Sequence, residues 1–183
     1  MDINMDHLGS IDEIGEVVVA KFGGASMSNM HEVATVIRAL QLRGHRVIAI
    51  CSALEGVTDT LKALGERAAR PQWPDEWEKK RWRHSNPYLD PHHAILNQLI
   101  PLPRRTEKYL RDLLDTSSGQ LRRNLESIND VGEFSHTIHG KVLGNGELSS
   151  TPILAGLLGD HARHEHSRDY FITDRKGRLD TVE

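Results

Sequence analysis

Residues 16–26 read Glu16-Val17-Val18-Val19-Ala20-Lys21-Phe22-Gly23-Gly24-Ala25-Ser26, and this stretch decides the fold. Its apolar, mostly β-branched run forms a strand. Continuous runs of this kind suit a strand buried on both faces, as in a parallel sheet. The run stops at Gly23-Gly24, and a helix signal follows. Asn29 serves as N-cap, with Glu32 as its capping-box partner. Val33, Val36, Ile37 and Leu40 then recur at i, i+3, i+4 and i+7, one face of a helix. Gly44 sits where a glycine stop belongs.

Outward from there, Val47-Ile48-Ala49-Ile50 is a second buried-strand candidate. A loop runs from Ser52 to Gly56, and Thr58 caps a further helix carrying Leu61, Leu64 and Ala68 on one side. This βαβα order predicts an α/β fold, a parallel sheet covered by helices with right-handed crossovers. Ligands in such sheets bind at the carboxyl ends of the strands. Gly23-Gly24 and Ser52-Ala53 fall at those ends.

Residues 71–91 interrupt the pattern. Pro71, Pro74, Pro87 and Pro91 punctuate a connecting excursion that also holds Trp73, Trp77 and Trp82, with a helical turn around Glu76–Arg83. Residues 92–100, 104–115 and 117–135 read as helices, the last with Leu121, Leu125, Ile128 and Val131 near one face. Residues 148–159 read as another, with Ile153, Leu154, Leu157 and Leu158 apolar and Pro152 confined to its first turn. Tyr170-Phe171-Ile172 is a short strand candidate. Residues 1–15 form a polar leader, and residues 16–183 form the domain.

Composition narrows the function classes. A chain of 183 residues suits one compact domain or a piece of a larger one. The net charge of -3 gives no electrostatic reason to expect nucleic acid or an anionic membrane. The single cysteine, Cys51, rules out an intrachain disulfide and a cysteine-based zinc site. No apolar run approaches the roughly 20 residues needed to span a bilayer, and the acidic N-terminus lacks a secretion-signal pattern. A cytoplasmic location is expected.

Three segments can carry chemistry. Lys21-Phe22-Gly23-Gly24-Ala25-Ser26 joins a strand to a helix. Its glycines let a ligand approach the backbone, and successive N–H groups make an anion pocket. The lysine can neutralise phosphate charge. A tight turn with a solvated lysine is the plainer reading of the same residues, and no Walker loop is present. Ser52-Ala53-Leu54-Glu55-Gly56-Val57-Thr58-Asp59 supplies hydroxyls at the second strand end, or alone a turn and a helix cap. Gly144-Asn145-Gly146-Glu147-Leu148-Ser149-Ser150 places a glutamate at a glycine-rich helix start. There it can hold a substrate ammonium, or simply complement the positive helix end. His161, His164 and His166 complement a helix end more naturally than they bind a metal. His92-His93 reads as a helix start, and Cys51 as a small core residue.

Taken together and in this order, the three segments resemble aspartate kinases, members of the amino acid kinase family. Lys21–Ser26 resembles the family's Lys-Phe-Gly-Gly-Thr-Ser, Ser52–Asp59 its Ser-Ala-x-x-Gly-Val-Thr-Asp, and Gly146, Glu147 and Ser150 its Gly-Glu-x-x-Ser. Leu125–Gly132 looks like the helix before that last motif, and Arg168–Gly177 resembles a strand with a Thr-Asp turn. The likeness spans roughly residues 16 to 180 and is weak from 71 to 115.

The resemblance implies an αβα sandwich of the amino acid kinase type, here its N-terminal, amino-acid-binding portion with a helical excursion in the middle. It implies phosphoryl transfer from MgATP to the side-chain carboxylate of L-aspartate, giving 4-phosphoaspartate in amino-acid biosynthesis. Lys21, Gly23 and Gly24 would contact the phosphate. Ser26, Ser52, Thr58 and Ser150 would line the aspartate pocket, and Glu147 would bind the amino group. ATP and Mg2+ are the implied cofactors, with no protein side chain holding the metal.

Two departures stand out. Ala25 replaces the usual Thr, at a cost of about 0.5–1.5 kcal/mol if that hydroxyl made a hydrogen bond. The family's Gly-Gly-Ser-Asp loop and adenine-binding strands, expected further along, have no counterpart here. A fragment or half of the enzyme is therefore expected, with a homo-oligomer or complementing chain covering the open sheet edge. The alternatives are a non-catalytic binding module derived from such an enzyme, or a kinase for another acid such as acetylglutamate or carbamate. Glu147 in its motif argues for aspartate.

Overall fold

In the computed structural model, which describes residues 15–71, 73, 86–99 and 101–166, the two expected strands pair in parallel. β1 (Val17–Phe22) aligns with β2 (Arg46–Cys51) in the register Val17↔Arg46 through Phe22↔Cys51. Between them lie the single-turn α1 (Gly24–Met27) and α2 (Met30–Leu42). Asn29 is the N-cap of α2 as expected, but its side chain makes no capping hydrogen bond. α2 ends in a glycine stop. Gly44, at φ 87°, lets the His45 amide reach the Leu40 carbonyl and its own amide reach that of Gln41.

The strands are not buried on both faces. Burial alternates along each. Val18, Ala20, Phe22, Val47, Ala49 and Cys51 lie on the covered side. Val17, Val19, Ile48 and Ile50 stay 47%, 64%, 53% and 50% exposed. An unbroken apolar run hides this distinction, because every residue in it would also suit a covered face. Among the described residues, helices pack on one side of the sheet only.

After β2 come α3 (Val57–Ala68), α4 (Leu89–Gln98), α5 (Arg104–Val131), α6 (His136–Leu143) and α7 (Asn145–Leu158). The N-cap of α3 is Gly56, so Thr58 lies inside the first turn rather than capping it. α5 is continuous where two helices were expected. Thr116-Ser117-Ser118-Gly119 is poor in helix formers, but Ser118 is buried and the Thr116 hydroxyl bonds back to the Asp112 carbonyl. Leu110, Leu114, Ser118, Leu121, Leu125 and Ile128 form its buried stripe, and Gly132 at φ 74° ends it. Val131 falls outside that stripe and is exposed.

α7 is the central helix. It touches α2, α3, α4, α5, α6 and β2, and buried residues occur all round it. It begins three residues earlier than the sequence pattern predicts, which puts Pro152 in mid-helix. The missing N–H leaves the Leu148 carbonyl without its helical donor. Trp73 packs into the core. The leader up to residue 14, the turn at Glu76–Arg83, Trp77, Trp82, the segment Arg168–Gly177 and the strand candidate Tyr170-Phe171-Ile172 lie outside the described residues.

Candidate functional site

The carboxyl ends of β1 and β2 and the first turn of α7 come together. The Ser52 amide donates to the Phe22 carbonyl at 3.0 Å, extending the parallel ladder into the loop. The Glu55 amide donates to the Ser28 hydroxyl at 3.0 Å, tying the second loop to the turn after α1. Gly24 lies against that loop so closely that a Cβ there would sit 3.3 Å from the Ala53 carbonyl oxygen and from the Glu55 backbone. α7 arrives from the other side. A Cβ on Gly146 would meet the Ala53 methyl at 2.6 Å, so only glycine allows this approach. The Ser150 hydroxyl, fully buried, donates to the Ser52 carbonyl at 2.9 Å.

All three predicted motifs therefore share one end of the sheet. Their side chains differ in setting. Ser52 and Glu147 are half-buried, while Ser26 and Thr58 are exposed on the first turns of α1 and α3. Gly23 has nothing within 4 Å of a would-be Cβ, so that side of its backbone is open, while its carbonyl accepts the Met27 amide. Lys21 is exposed and pairs with Ile50, on the uncovered side of the sheet. The first-turn amides of α1 have no intrahelical acceptor. Open backbone N–H groups, hydroxyls and one carboxylate lie at the strand ends, while the Lys21 side chain stands on the uncovered face of the sheet. Such a set suits an amino acid beside a phosphate.

The structure adds residues that the sequence patterns did not single out. Asn86 accepts the amides of Tyr88 and Leu89 on its side-chain oxygen, at 3.1 and 2.8 Å, and so caps α4. The signal was the dipeptide Asn86-Pro87, a capping residue followed by proline. Tyr88, wholly buried, bonds to Ser117, Ser149 and the Asn145 carbonyl beside Glu147. Burial pushes its phenol above the ordinary range, the Ser117 and Ser149 hydrogen bonds pull it back, and the Glu147 carboxylate pushes it up again. Two clefts, of about 440 and 530 Å³, border α5 and α7 and share Tyr109 and His164. Neither is lined by a predicted site residue. Among the described residues, no group of three or more His, Cys, Asp or Glu is arranged to hold a metal ion. No helix among them is long and apolar enough to cross a membrane.

The pattern described as "Amino acid kinase family" matches residues 16–132. No curated protein sequence matches the chain. Among the solved structures that share its fold are two of one enzyme. E. coli aspartokinase III in complex with aspartate and ADP (R-state) aligns with a TM-score of 0.58 at 21% identity, over 80% of this chain and 29% of that one. The same enzyme in complex with lysine and aspartate (T-state) aligns with a TM-score of 0.61 at 20% identity, over 92% of this chain and 35% of that one. The chain thus spans about a third of the length of the structures it resembles.

Proposed function

Because this chain belongs to the amino acid kinase family, we propose that its strand ends and the first turn of α7 bind L-aspartate for phosphoryl transfer from MgATP to the side-chain carboxylate. One observation carries the reading: Gly24 and Gly146 each approach the Ala53–Glu55 loop too closely for any larger residue to fit without a shift. That convergence brings three chemically matched segments to one place. The aspartate bound by a structural neighbour is in keeping with it.

In this reading the Glu147 carboxylate holds the substrate ammonium. Ser26, Ser52 and Thr58 orient its carboxylates, and Ser150 acts through Ser52 by fixing that carbonyl. A substrate carboxylate oxygen forms the new bond to the γ-phosphorus as the bond to the bridging oxygen breaks, releasing ADP. The carboxylate is already ionised at pH 7, so no general base is required. Lys21 and the Gly23 and Gly24 amides neutralise charge spreading over the transferred group. The open backbone at Gly23 fits a phosphate group. Mg2+, when bound, supplies further positive charge and is held by the ATP phosphates.

The test is a coupled ADP-release assay with aspartate, run on wild type and Lys21→Ala, with any co-purifying chain present. The reading expects aspartate-dependent turnover that the substitution abolishes. No turnover in the wild type under either condition removes the kinase reading and leaves a binding module.

A covering partner is also proposed. The stripe Val17, Val19, Ile48 and Ile50 is apolar and open, and each strand leaves an unpaired edge among the described residues. A second copy or a complementing chain would bury both. Size-exclusion chromatography with light scattering tests this: a monomer at every concentration and with every co-expressed chain contradicts it.

A further inference from the structure

We infer that Tyr88 and His92, on and just before α4, form a buried brace that positions the first turn of α7 and with it Glu147. The inference rests on the aspartate-binding reading only for its effect on ligand affinity.

Tyr88 is fully buried, and its hydroxyl meets three oxygens: the Asn145 carbonyl at 2.9 Å, the Ser117 hydroxyl at 2.7 Å, and the Ser149 hydroxyl at still closer range. A phenol has one proton to give and can accept two. The Asn145 carbonyl can only accept, so it takes the tyrosine proton, and the Ser117 and Ser149 hydroxyls share their protons among the phenol oxygen, each other and the Asn145 side-chain oxygen. The phenol, the two serine hydroxyls and Asn145 thus form one buried network. Two of the three partners, Asn145 and Ser149, flank Glu147 on α7. The third, Ser117, belongs to α5 and also lies within 3.4 Å of the Asn145 side-chain oxygen. Asn145 in turn bonds the Lys141 and Val142 carbonyls at 2.7 and 3.1 Å, closing the joint between α6 and α7.

His92 supports the same turn one helical step away. Its Nδ1 lies 2.8 Å from the Tyr88 carbonyl, which can only accept, so Nδ1 carries the proton. Burial holds the ring below the ordinary histidine range, and it is neutral at pH 7. Its far side faces the Gly146 backbone, yet the buried Nε2 makes no hydrogen bond of good geometry. The ring is wholly buried beside the Gly146 backbone. Gly146 is the residue that must sit against Ala53. The buried ring and the Ala53 methyl both border this turn and hold it in place. Tyr88 fixes its rotation.

Neither residue touches the proposed ligand position, so both are positioning residues. The test compares Tyr88→Phe, which removes one oxygen, with Ile95→Val, which trims the core from the same helix. Aspartate binding is read by calorimetry and stability by thermal denaturation. Tyr88→Phe is expected to weaken aspartate binding at least about tenfold, and Ile95→Val to leave it unchanged at a comparable loss of Tm. Equal effects of the two variants on binding, or none from Tyr88→Phe, overturn the brace.

A wild type that binds no aspartate would sink the substrate reading instead, and the brace is then read directly. Amide exchange at Gly146–Ser149 should accelerate at least about tenfold in Tyr88→Phe relative to the middle of α5, and 15N shifts should report a neutral His92 protonated at Nδ1. Unchanged exchange, or a His92 protonated at Nε2 alone, contradicts the brace whatever the ligand proves to be.

Discussion

The Ser150 hydroxyl donates a 2.9 Å hydrogen bond to the Ser52 carbonyl, joining residues 98 positions apart in sequence. It ties the end of β2 to the first half of α7. Ser52 has just left the ladder, its amide still paired with Phe22. One hydroxyl thus locks a strand end to a helix, between two motifs that sequence alone leaves separate.

Ser150→Ala should remove this lock at modest cost to the fold. One lost hydrogen bond is worth about 0.5–1.5 kcal/mol. Thermal denaturation should fall by only a few degrees, while aspartate affinity should fall more than the same loss of stability produces in a core variant such as Leu158→Val. Proportional losses in both would reduce Ser150 to an ordinary packing contact.

Gly146→Ala tests the close approach itself. The added methyl would lie 2.6 Å from the Ala53 methyl and 3.3 Å from Val57 Cγ1. Overpacking of this kind costs about 1–3 kcal/mol, with Tm falling by roughly 2–4 °C for each kcal/mol in a chain of this size. Ala53→Gly in the same chain should recover part of the loss. A Gly146→Ala protein as stable as wild type would mean that the segments are not in contact.

Acid should weaken the fold through His92. Its folded pKa lies below the ordinary 6.5 because of burial. Below pH 6.5 the unfolded chain takes up a proton that the folded chain refuses, so stability declines as pH falls from 6.5 towards the folded pKa. His164 is shifted the same way by burial and by His166. Tm measured from about pH 7.5 to about pH 5 should therefore drop, and His92→Gln should flatten the slope beyond what His164→Gln achieves. Parallel slopes for wild type and His92→Gln would contradict this.

Cys51 should react slowly with thiol reagents. Burial pushes its thiol from 9.0 to about 11. At pH 8 the thiolate fraction is then roughly a hundredfold below that of an unperturbed cysteine. Modification rates in the native and denatured chain should differ by at least that factor. Near-equal rates would place Cys51 in open solvent. The sign for stability follows: the unfolded chain deprotonates first above pH 9.0, so this thiol destabilises the fold as pH rises from there towards 11.

Local grammar explains what was legible from sequence. β-branched runs and the Gly44 stop gave β1, α2 and β2, because strand and glycine preferences act over a few residues. Coverage of the sheet was not legible, since Val19 and Ala20 look alike in sequence yet face opposite sides. A break was expected at Thr116, but the adjoining Ser117 and Ser118 hydroxyls face Tyr88 and Asn86 across the core, so tertiary contacts override weak propensity. The three motifs were legible as two turns after strands and one helix start, and their backbones meet at one end of the sheet. The brace was not. Asn86-Pro87-Tyr88 lies in a proline-rich stretch, and the partners of Tyr88 lie 29 to 61 positions away.

Backbone amide shifts recorded during a titration with L-aspartate test the central claim most directly. A shared site requires that Gly23–Ser26, Ser52–Ala53 and Gly146–Ser150 shift together and saturate with one affinity, and that Glu147→Gln abolish the response in all three. Shifts confined to one segment, or a response in Glu147→Gln equal to that of wild type, would contradict it.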